Sequence, residues 1–110
     1  MIVEVIGGTD EHPAARVVDV DDLSRVRLAL GEVTDEEAAE ALQQAGLGRL
    51  RDGSTASLDV AAVRAAAEPR ATSSDWSGKW DRMIAAARGE GRLSADGAGL
   101  EVPIESAAGA

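Results

Sequence analysis

The sequence predicts an α+β fold: a single small domain over residues 1–105, with three or four helices, two or three β-hairpins and a disordered tail at 106–110. Three observations predict it. Thr34 to Gly46 has the form of a capped helix with a glycine stop, Asp52-Gly53 lies between two short strand-forming arms, and the chain opens on the β-branched run Ile2-Val3-Glu4-Val5-Ile6.

The first run reads as a strand ended by Gly7-Gly8. Residues 9–15 form a polar loop holding the single histidine, and Arg16 to Val20 alternates as a second strand. A loop of that length between hairpin arms is long, and long loops carry function more often than short ones. Asp21 or Asp22 can cap a short helix through Leu30, with Leu23, Val26 and Leu30 on one face and Gly31 as its stop.

Thr34 and Glu37 make a T-x-x-E capping box, in which two side chains satisfy two orphaned amide donors. Asp35, Glu36 and Glu37 occupy the first turn, where the helix dipole favours anions. Ala38, Ala41, Leu42 and Ala45 form the apolar stripe, and Gly46 is the stop. Leu47–Arg51 and Thr55–Leu58 are then hairpin arms around Asp52-Gly53-Ser54, because Asp-Gly supplies the positive φ angles of tight turns. Asp59 caps a further helix that turns Val60, Val63 and Ala67 inward and ends at Pro69. Residues 69–75 have the composition of a mobile waist within one domain.

The last helix spans Asp75 to Arg88, capped by Ser73 or Ser74 and stopped by Gly89. Trp76, Trp80, Met83, Ile84 and Ala87 share one stripe, and Gly78 costs about 1 kcal/mol relative to alanine. A closing hairpin sets Arg92–Ser94 against Leu100–Ile104. Gly46-Leu-Gly-Arg-Leu and Gly89-Glu-Gly-Arg-Leu, each followed by Asp-Gly, also suggest a helix-hairpin pseudo-repeat, with convergence favoured over duplication.

Composition bounds what such a domain can do. The 110 residues include no Phe and no Tyr, and alanine is the commonest residue. An alanine-rich core removes little area from water per side chain, at about 25 cal/mol per Å². Stability therefore leans on Val, Leu, Ile and the two tryptophans. The charge of -9 is uneven: residues 1–45 set eleven acids against Arg16, Arg25 and Arg27, while residues 46–92 carry more bases than acids. An acidic surface repels nucleic acid, and a bipolar one can orient a protein partner or a second copy. The absence of cysteine fits a reducing, cytoplasmic setting, and no apolar run approaches a membrane span or a leader. Ten arginines to one lysine, with abundant Ala and Gly, reflect a GC-rich bacterial coding sequence.

Three features carry candidate chemistry. Asp10, Glu11 and His12 join imidazole to carboxylates, the pairing used for a metal or for proton transfer, although three adjacent residues rarely converge on one ion. Two helices before a hairpin resemble a winged-helix module, but the helix in the reading position holds Asp35, Glu36, Glu37 and Glu40 and no base. Trp76, Trp80 and Met83 with Lys79 and Arg82 make the largest apolar feature with a basic rim, either core packing or a contact surface for an acidic partner. No nucleophile elbow, phosphate loop or cofactor motif is present. The sequence thus points to a non-enzymatic protein-interaction module without a cofactor, using the Trp76/Trp80 face. A winged-helix nucleic-acid protein and a small-ligand or metal protein centred on the His12 loop are the alternatives.

Overall fold

The computed structural model describes residues 1–7 and 14–106, with the side chain of Ser106 left aside. Six strands form one mixed sheet: β1 (Ile2–Ile6), β2 (Ala14–Val18), β3 (Arg27–Gly31), β4 (Gly48–Leu50), β5 (Thr55–Asp59) and β6 (Gly99–Ser106). Their spatial order is β2-β1-β3-β6-β5-β4. Three helices cover it: α1 (Asp35–Ala45), α2 (Val60–Ala67), extended by a 3-10 turn at Glu68–Arg70, and α3 (Trp76–Gly89). The outcome is an α+β domain with one sheet in place of separate hairpins.

β1 buries Val3 and Val5 and turns Glu4 outward, where its cross-strand partner Arg16 closes an ion pair of 2.9 Å. β3 runs parallel to both β1 and β6, so residues 27–31 form a central strand rather than the end of a helix. Leu28, Ala29 and Gly31 are all buried. A strand covered on both faces loses polar alternation, and a short apolar run then fits either period. Pairing of Arg27 with Ile2 and of Leu28 with Ile104 outweighs the helical spacing of Leu23, Val26 and Leu30. The first helix of a winged-helix order is consequently absent.

α1 has both hydrogen bonds of the capping box, Glu37 N to Thr34 Oγ1 at 3.1 Å and Thr34 N to Glu37 Oε1 at 2.9 Å. Gly46 ends it at φ 71°, with Gly46 N donating to Gln43 O and Leu47 N to Leu42 O. The same pair of bonds ends α3, from Gly91 N to Arg88 O and from Arg92 N to Ala87 O, with Gly91 at φ 75°. Gly46 therefore corresponds in role to Gly91 and not to Gly89. α1 packs against β2 and β4, the two edges of the sheet, so the sheet curls around the helix. Ala38, Ala41 and Leu42 of α1 join Val3, Leu28, Leu58 and Leu100 of the sheet in one core.

The edge of β2 is closed by the segment leading into α3. The Arg70 guanidinium donates to Val17 O, Trp76 Nε1 to Val20 O at 2.6 Å, and the Asp21 carboxylate accepts from Thr72 and Ser73. Residues 69–75 are thus a strap pinned to β2, not a mobile waist. At the far end, Leu93 bridges Leu100 and Glu101 N donates to Arg92 O at 2.7 Å, so the closing hairpin is a short ladder beside β6. No helix among the described residues is long and apolar enough to cross a membrane.

Candidate functional site

Strand register decides what faces outward from β4, β5 and β6. Arg49 pairs with Ser57 and Ser57 with Glu101, while Ala56, Leu58, Leu100 and Val102 point into the core. Alternation then places Arg49 and Arg51, Thr55, Ser57 and Asp59, and Glu101 on the opposite face. Arg92 lies beside Glu101 across the next backbone pair and joins the row. Three arginines from two segments meet on one sheet face.

The floor between them carries little side chain. A Cβ on Gly48 would sit 2.4 Å from Ser57 O, and one on Gly99 would sit 2.6 Å from Ser57 Oγ. Gly48 requires glycine because the Ser57 backbone approaches so closely, whereas at Gly99 the atom met is the movable Ser57 hydroxyl. The result is an open groove in two lobes. One, of 620 Å³, runs from Ala39 and Gln43 of α1 over Gly48 and Ser57 to Asp96 and Gly99. The other, of 360 Å³, is lined by Arg49, Arg51, Arg92 and Glu101, and the lobes share Arg49, Ser57, Ser94 and Gly99.

The wall formed by residues 94–99 is rigid for local reasons. Ser94 Oγ donates to Asp96 Oδ1 at 2.5 Å and accepts from Gly99 N at 2.9 Å, while Ala98 N donates to Asp96 Oδ1 at 3.0 Å. The Ser94 hydroxyl, followed by the Ala98 amide, holds the Asp96 carboxyl below the usual aspartate range. Across the groove, Asp52 ties the β4–β5 turn through the amides of Ser54 and Thr55, each at 2.8 Å. These serines and aspartates build turns, and their hydroxyls and carboxylates are occupied in doing so.

The charges differ in how they are engaged. Arg51 is ion-paired with Glu101, and Arg92 with Glu90 at 2.7 Å. Arg49 is exposed and makes no ion pair with any described residue. Guanidinium groups present a planar fork of donors matched to carboxylate or phosphate oxygens. Chemically, the groove can take an anion over a bare backbone floor, with Arg49 as the free donor.

The residues singled out in the sequence are placed elsewhere. Trp76 and Trp80 are core side chains, 3% and 2% exposed, stacked with ring centroids 5.3 Å apart. Lys79 Nζ donates to Ser73 Oγ at 2.9 Å and Arg82 pairs with Asp75 at 3.2 Å, both at the exposed start of α3. Met83 is half-buried. Of the contact surface expected on α3, only Lys79, Arg82 and part of Met83 reach solvent. Asp75 itself fills the N-cap position of α3 without a side-chain cap bond, where Ser73 or Ser74 was expected. Its carboxylate lies over Gly78, where an added Cβ would meet Asp75 Oδ1 at 2.6 Å. Asp10, Glu11 and His12 lie outside the described residues, and among the described residues no three His, Asp or Glu side chains gather to hold a metal.

No protein-family model, curated protein or solved structure matches this chain.

The groove itself was half legible. The hairpin around Asp52-Gly53 fixes Arg49, Arg51 and Ser57 on one face by alternation alone. The contribution of Glu101 and Arg92 depends on β6 pairing with β5, a long-range choice that local pattern does not encode.

Proposed function

We propose that this protein is a non-enzymatic interaction module that docks an acidic segment of a protein partner in the arginine groove over β4, β5 and β6. The observation that carries the reading is the convergence of Arg49, Arg51 and Arg92 on one glycine-floored face of a chain whose net charge is -9. A protein so acidic repels anionic partners from most directions, so a local cluster of guanidinium groups selects where such a partner can land. The shape favours a protein segment over a small molecule. Small-molecule sites are mostly enclosed and apolar, whereas the 360 Å³ lobe is partly open and lined mainly by charged and hydroxyl groups.

The groove takes over the role expected of the Trp76/Trp80 face. The acidic partner inferred from the sequence is kept, and its landing place moves from α3 to the sheet. Lys79 and Arg82 support the α3 surface less well, because both are engaged at the start of their own helix. The absence of a reactive role follows the same chemistry: Ser94 is saturated by Asp96 and Gly99, and the Ser57 hydroxyl, although opposite Glu101, makes no hydrogen bond to a base among the described residues.

A fluorescence-anisotropy titration tests this reading, using a labelled nonapeptide with Glu at alternate positions at low ionic strength. Saturable binding that Arg49→Ala weakens by about fivefold, with an unchanged melting temperature, is the expected outcome. Equal affinity of the two proteins would remove the groove from the account.

A further inference from the structure

We infer that Glu101 is a built-in competitor for the arginine groove, and that the partner displaces it with carboxylates spaced two residues apart in an extended segment. This rests on the reading of the groove as the docking site of an acidic segment. Glu101 is the one carboxylate among the residues lining the 360 Å³ lobe, where it faces Arg49, Arg51 and Arg92. Its backbone is fixed from both sides, opposite Ser57 in β5 and with its amide on Arg92 O. Its carboxylate is ion-paired with Arg51. Glu101 therefore stands where an incoming carboxylate would stand.

Two consequences follow from the geometry. Exposed ion pairs contribute little net stability, so the Arg51–Glu101 pair opens readily when a better anion arrives. A single carboxylate can engage the unpaired Arg49 without disturbing Glu101. Engaging Arg51 as well requires a second carboxylate that replaces it. Arg49 lies on β4 and Arg51 just past its end, where Arg51 N still donates to Thr55 O, so the two are about 7 Å apart along the strand axis. Alternate acidic residues of an extended peptide have the same spacing. Glu101 thus leaves a single anion to Arg49 alone and yields Arg51 only to a doubly acidic segment.

The test compares Glu101→Gln with the native chain, Arg49→Ala and Glu32→Gln, using the same alternating-Glu nonapeptide and a control peptide with one Glu. Glu101→Gln should tighten binding of the alternating peptide about threefold, the size of effect one carboxylate exerts a few ångströms away in water. Binding of the single-Glu peptide should improve by at least as large a factor, because Arg51 becomes available without competition. Glu32→Gln, which removes an exposed carboxylate that lines neither lobe and pairs with no groove arginine, should give a smaller gain. Unchanged or weaker binding by Glu101→Gln, while Arg49→Ala still weakens it, would overturn the competitor role and leave the groove reading standing. Equal gains from Glu101→Gln and Glu32→Gln would also overturn it, because a general charge effect would then account for both. Absence of saturable binding by any of these proteins would overturn both readings. Circular dichroism melts confirm that each variant, altered only at an exposed or half-exposed side chain, retains the fold.

Discussion

Asp21 shows how much one exposed carboxylate organises. Its Oδ2 accepts from Thr72 Oγ1 at 2.6 Å and its Oδ1 from the amides of Thr72 and Ser73 at 2.9 and 3.0 Å. The Thr72 hydroxyl, then the Ser73 and Thr72 amides, hold its pKa below the usual 3.8. Asp52 and Asp96 are lowered in the same way by the amides and hydroxyls of their turns. A depressed folded-state pKa means that the native chain binds fewer protons than the unfolded one in acid. The stabilisation is complete above about pH 5, where the unfolded carboxyls are also ionised, and is lost as pH falls through the folded values. Urea midpoints should therefore fall steeply below about pH 4, and Asp21→Asn should flatten that slope. A slope unchanged by the substitution would mean that Asp21 does not hold the strap. Trp76 is the buried counterpart, because its indole N–H satisfies Val20 O. Trp76→Phe leaves that carbonyl without its donor and should cost about 1–3 kcal/mol in urea unfolding.

At the scale of elements, local chemistry and long-range pairing divide the fold between them. α1 was legible from end to end because its signals are local: a Thr34–Glu37 box, acids in the first turn, an alanine and leucine stripe, and Gly46. Thr34→Ala should cost about 1 kcal/mol, measurable by denaturant unfolding. The β4–β5 hairpin was legible for the same reason, through Asp52-Gly53. β3 was not, because a strand buried between β1 and β6 shows no alternation, and its identity comes from partners at residues 2–6 and 104–106. The strap was misjudged likewise, since Pro-Arg-Ala-Thr-Ser-Ser-Asp looks like a linker until Asp21, Val17 and Val20 are seen to bind it. Gly48 tests the close approach of β4 to β5 that bares the groove floor. With 2.4 Å to Ser57 O, Gly48→Ala should destabilise by about 1–3 kcal/mol through displacement of β4.

For the whole molecule, the distribution of charge and burial separates a stabilising aromatic pair from the surface available to a partner. Trp76 and Trp80 supply the largest buried side chains in a core otherwise rich in Ala, Val and Leu, so Trp80→Ala should cost about 3–5 kcal/mol. Ile6 is the one large hydrophobic side chain recorded as exposed among the described residues, at 43%. Recognition by apolar anchors thus has little to work with on the described surface, and recognition by charge has a defined place. Arg49 and Arg51 were readable from sequence as a pair on one hairpin arm, while their meeting with Arg92 and Glu101 required the sheet order. The most direct test of that meeting is a ¹H–¹⁵N NMR titration with the alternating-Glu nonapeptide at low salt. The account predicts shifts clustered at Arg49, Ser57, Ser94, Gly99 and Glu101, with α3 resonances unmoved. Shifts centred on Lys79, Arg82 and Met83, or no shifts at all, would contradict it.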